Sequence, residues 1–70
     1  MDVTIKHGHE HKESNKIAME VMFYEQIGDL GHSVDIIVWV PASDSRSELE
    51  ALAKSEACNF LQRVLSAHSS

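Results

Sequence analysis

The chain has 70 residues, 43% hydrophobic and 24% charged, enough for one small domain and too few for two. Eleven Asp and Glu against six Lys and Arg give a formal charge of −5. That balance argues against nucleic-acid backbones and anionic membranes as partners, since both are gripped by clustered cations. One cysteine makes no internal disulfide, and no basic-then-apolar leader is visible. The longest apolar run, residues 36–40, falls far short of the ~20 residues that cross a bilayer. A cytoplasmic protein is the expectation.

In chain order, residues 1–6 set Val3 and Ile5 against Asp2, Thr4 and Lys6, the alternation of a half-buried strand. Residues 7–15 (HGHEHKESN) contain no aliphatic side chain and read as a flexible, solvated His-rich loop. In residues 16–26, Ile17, Met19, Val21 and Phe23 alternate with Ala18, Glu20, Met22 and Tyr24, which favours a second strand over a helix. Gly28 and Gly31 flank Asp29 and mark a hairpin connection. Residues 34–40 (VDIIVWV) are β-branched and aromatic, a third strand closed by Pro41.

The next segment writes a capping box twice, as Ser45 with Glu48 and as Ser47 with Glu50. Beyond it Leu49, Leu52, Ala53, Ala57, Phe60, Val64 and Ala67 recur at helical spacing, so an amphipathic helix is expected to about Ala67. Glu50 and Lys54 make a favourable pair one turn apart. The order is β-β-β-α: a small two-layer α+β domain over residues 1–70, with a three-stranded antiparallel sheet followed by one C-terminal helix.

One helix covers one face of such a sheet, and apolar residues are left over. With Val34, Ile36, Val38 and Val40 turned to the helix, Ile37 and Trp39 face away, as do Met22 and Tyr24. On the helix Cys58, Leu61 and Leu65 widen the apolar arc. Met22, Tyr24, Ile37, Trp39, Leu61 and Leu65 are therefore the candidate interface residues, and a symmetric homodimer is the common way to bury such surface.

No residue pattern names a reaction. His7, His9 and His11 form an H-x-H-x-H run whose alternate residues share one face of a regular strand, so they are the candidate metal ligands. Glu10, His32 and His68 are possible completions, none fixed by spacing, and a solvated polar loop explains the run more simply. Cys58 lacks a base or a C-x-x-C partner and reads as a buried filler. The serines before the helix are accounted for by capping, and the hairpin glycines have no lysine or helix after them to make a phosphate loop. No cofactor is expected.

The β-β-β-α order with a helix introduced by Ser45-Arg46-Ser47 resembles, in topology, the C-terminal part of double-stranded RNA-binding domains. The chain departs from that family in lacking its preceding helix, and Glu48 and Glu50 stand where its phosphate-gripping lysines are needed. No site residue is carried over. The sequence reads as a small acidic, non-enzymatic protein-interaction module that forms a homodimer and meets a further protein. The alternatives are a metal-binding protein built on the His-rich segment and an acidic inhibitor of a nucleic-acid-binding enzyme.

Overall fold

A computed structural model describes residues 1–68. The chain runs β1 (Asp2–His11), β2 (Lys16–Ile27), β3 (Leu30–Pro41) and α1 (Arg46–His68). The strands form one antiparallel sheet in the order β1-β2-β3, with α1 packed on β3 and, less extensively, on β2. This is the expected β-β-β-α domain.

β2 holds the centre because both its edges are paired and its helix-facing positions from Ile17 to Phe23 are all apolar. Met19 and Val21 are fully buried, with Ile17 and Phe23 half-buried to either side. β3 adds Ile36, Val38 and Val40, and α1 adds Leu49, Ala53 and Ala57. Two of the three buried helix residues are alanines, and their small side chains let the helix backbone approach the pleated sheet closely.

The hairpin from β2 to β3 turns on Gly28 and Asp29, with Ile27 opposite Leu30. Gly28 has φ +63°, and a type II′ hairpin reserves its first central position for glycine. The hairpin from β1 to β2 uses Asn15 at φ 55°, a conformation asparagine tolerates better than most residues. The Asn15 carbonyl then accepts the Ala42 N–H at 3.0 Å, tying this turn to the exit of β3.

Of the two capping boxes, the serine half of the first forms. Ser45 Oγ accepts the Glu48 N–H at 3.2 Å, and the Ser45 N–H donates to Ser43 Oγ at 3.1 Å. Ser43 thus takes the role that Glu48 plays in a full box.

Four expectations are corrected. The loop expected over residues 7–15 shrinks to the turn at residues 12–15, because β1 continues through His11 by pairing its backbone with the start of β2. Leu61, placed beside the main helix stripe, packs against the core in line with Leu49, Ala53 and Ala57, while Phe60 and Val64 are 43% and 37% exposed. The helix rolls onto its alanine side, which brings it closer to the sheet than a phenylalanine at the contact would allow. Cys58 is exposed rather than a buried filler, since it follows the buried Ala57 around the helix. Glu50 approaches His7 rather than Lys54, because the start of α1 lies within side-chain reach of β1.

Candidate functional site

Strand alternation distributes the sheet's outer face into cross-strand rows. Trp39 stands opposite Ala18, Ile37 opposite Glu20, Asp35 opposite Met22 and Ser33 opposite Tyr24. On the other side of β2, Lys6 faces Glu20, Thr4 faces Met22 and Asp2 faces Tyr24. Apolar and charged groups interleave, and Thr4, Lys6, Glu20, Met22 and Asp35 line a small polar depression in the middle. The outer face is therefore not one apolar patch.

Its aromatic residues sit at opposite ends. A Cβ built on Gly31 meets the Tyr24 hydroxyl at 2.7 Å and ring carbons at 3.0 Å, so the Tyr24 ring lies over the bare glycine backbone. Its hydroxyl donates to Gln26 Oε1 at 3.3 Å. At the far end Trp39 meets the His11 ring edge-on, with centroids 5.9 Å apart. Met22 is half-buried between its neighbours.

The histidines are separated by an irregularity in β1. His7 pairs with Met19 but Glu10 pairs with Ile17, so β1 carries one residue more than β2 across Gly8 and His9. This β-bulge inverts the alternation beyond it. His7 lies on the helix side, with Nε2 3.9 Å from Glu50 Oε2. His11 lies on the outer face, its Nδ1 2.8 Å from Ser14 Oγ. Glycine is required at the bulge, because a Cβ at position 8 lies 2.7 Å from the Ala18 carbonyl oxygen. Among the described residues no group of three His, Cys, Asp or Glu is placed to hold a metal ion.

Exposed apolar surface gathers instead along the free edge of β3. Ile37 is 67% exposed and Trp39 47%, and a groove of about 230 Å³ runs between them and α1. It is lined by Ile37, Val38, Trp39, Glu56, Phe60 and Arg63. On its helix bank Arg63 Nη2 reaches Glu56 Oε1 at 3.3 Å, and the guanidinium carbon stands 5.7 Å from the Phe60 ring centroid. Val64 and Leu65 are further exposed apolar residues in the C-terminal half of α1.

Of the six candidate interface residues, Ile37 and Trp39 lie at this groove, Met22 and Tyr24 lie inward of it on the outer face, and Leu61 and Leu65 lie on α1. The sequence reading missed Phe60, Glu56 and Arg63, having assigned Phe60 to the core. The available signal was their spacing, which puts all three on one side of the helix.

No helix among the described residues is long and apolar enough to cross a membrane. No protein-family model, curated protein or solved structure matches the chain.

Proposed function

We propose that the protein is a non-enzymatic interaction module that works as a homodimer. The observation that carries this reading is the concentration of exposed large apolar side chains, Ile37, Trp39 and Phe60, around one unpaired strand edge. A small domain leaving such groups in water forgoes stabilisation of about 1.5–3 kcal/mol for each one it could bury, a large share of its total stability. Association recovers that term. The scatter of its reactive side chains also favours binding over catalysis: Cys58 is exposed on the helix, and His7 and His11 occupy opposite faces.

Sedimentation equilibrium through the micromolar range tests the reading. A concentration-dependent monomer–dimer equilibrium is expected, and a monomer at every concentration overturns it. A melting temperature that rises with protein concentration is the companion signature.

A further inference from the structure

We infer that two copies join edge to edge: β3 pairs antiparallel with β3 of the second copy about a two-fold axis at Val38, making one continuous sheet with both α1 helices on the same face and meeting at Phe60. The inference rests on the self-association proposed above and names its geometry.

The two sheet edges differ in how they are protected. β1 carries a bulge at Gly8 and His9, and Lys6, Glu10 and Lys12 lie along and just beyond it. Bulges and charges are the usual devices that stop an edge strand from pairing with another chain. β3 runs from Leu30 to Pro41, and its segment from Ile36 to Val40 contains no charge, proline or glycine and pairs with β2 without a register shift. It is the edge left open to a partner strand.

The segment is also self-complementary in register. Centred on Val38, an antiparallel pair sets Ile37 opposite Trp39 of the second copy on the outer face and Ile36 opposite its Val40 on the helix side, so every apolar residue meets another. Moving the centre by one residue to Ile37 sets Trp39 against Asp35, and moving it to Trp39 sets Ile37 against Pro41.

The helix bank supplies the charge match. Glu56 and Arg63 flank Phe60 on α1 and are 40% and 63% exposed at their side chains. A two-fold axis at Phe60 runs the helices antiparallel and brings Glu56 of each copy to Arg63 of the other, exchanging the ion pair within each chain for one of two between chains. Val38 and Phe60 line the same groove, as a single axis through strand and helix requires. An isologous interface requires a patch complementary to itself, and a cation and an anion placed on either side of the axis provide one.

Charge reversal in two separate chains tests this. Glu56→Arg alone sets Arg against Arg63 across the axis, and Arg63→Glu alone sets Glu against Glu56. Each variant is expected to dimerise roughly tenfold or more weakly than the parent protein, with an unchanged circular dichroism spectrum. Mixed together, they restore both cross-axis pairs although neither chain has an internal one, so heterodimers should form with affinity within a few-fold of the parent. Lys12→Glu mixed with Glu13→Arg, altered at the hairpin turn, provides the same net-charge difference away from the edge and should give no heterodimer preference. A parent dimer whose Glu56→Arg and Arg63→Glu variants show no preference for each other overturns the edge-to-edge arrangement and leaves dimerisation standing. A monomeric parent removes both.

Discussion

His7 and His11 lie in one strand yet project from opposite faces of the sheet, His7 toward Glu50 on the helix and His11 edge-on to Trp39. The bulge at Gly8 and His9 separates them, and the H-x-H-x-H run consequently cannot focus its imidazoles on one ion while β1 is paired. Isothermal titration with zinc is expected to show no sub-micromolar site, and replacing His7, His9 and His11 with serine should leave the weak residual binding within a few-fold. A sub-micromolar zinc affinity lost in the triple variant would contradict this geometry.

The bulge depends on Gly8. Gly8→Ala pushes a methyl into the Ala18 carbonyl oxygen at 2.7 Å, a backbone atom that moves only with its strand. Destabilisation of about 1–3 kcal/mol is expected, the usual cost of a forced backbone shift, and urea unfolding measures it. A neutral Gly8→Ala would mean that β1 does not approach the Ala18 carbonyl closely enough to require glycine at the bulge.

Tyr24 and Gly31 provide a prediction whose sign reverses. With Tyr24 present, Gly31→Ala forces the ring from its place over the backbone and should destabilise the domain. In a Tyr24→Ala background the space is free, and Gly31→Ala should be neutral or stabilise by up to ~1 kcal/mol, because alanine restricts the unfolded chain more than glycine does. A double-mutant cycle in urea reads the coupling directly. Additive effects would show that ring and glycine do not touch.

The helix start is tested by Ser45→Ala, which removes the acceptor for the Glu48 N–H. A loss of about 0.5–2 kcal/mol is expected, whereas Ser47→Ala, beyond the cap, should change stability by only a few tenths. Equal losses would mean that both serines share the cap.

Much of the fold was legible because each element carries its signal locally. The alternation from Ile17 to Phe23, the glycine at position 28 and the spacing of Ser45 and Glu48 each depend on neighbours within a few residues. The features that escaped are set by relations between elements. A two-residue period assumes an unbroken strand, and one extra residue near His9 inverts it without altering composition. Likewise, hydrophobicity alone puts Phe60 inside the helix stripe. Which arc of α1 meets the sheet depends on how closely the backbones approach, and Ala53 and Ala57 allow a contact that Phe60 would hold apart. The polar rows across the outer face follow from the register of β1, β2 and β3, which is a tertiary fact.

The helix roll has a measurable consequence in two leucines one turn apart. Leu61 is half-buried against the core, and Leu65 is 69% exposed. Leu61→Lys should destabilise the monomer by several kcal/mol and lower the melting temperature by the same amount at every protein concentration. Leu65→Lys should cost the monomer less, under about 1 kcal/mol. Equal losses would return the helix to the orientation in which both leucines belong to one flank.

Two lysine substitutions on the outer face separate pairing through the β3 edge from pairing through the sheet's flat face. Ile37 stands on β3 at the groove, 67% exposed, so Ile37→Lys removes little from the monomer's core. Met22 stands on the central strand between Thr4 and Asp35, half-buried and away from either edge. If two copies meet along β3, Ile37→Lys removes the β-branched side chain that packs on Trp39 of the second copy and puts a lysine into the uncharged edge segment, the device edge strands use against pairing, and the dimer should weaken by roughly tenfold or more. Met22→Lys should then lower the stability of the folded monomer by about 1–2 kcal/mol, through loss of a partly buried side chain, while leaving the dimerisation constant near that of the parent. Face-to-face stacking predicts the opposite ranking, because Met22 lies at the centre of that face and a lysine there has no route to solvent. Sedimentation equilibrium on the two variants beside the parent, with urea unfolding at a concentration where all are monomeric, distinguishes the two arrangements. Stronger dissociation by Met22→Lys than by Ile37→Lys would exclude the β3 edge as the interface.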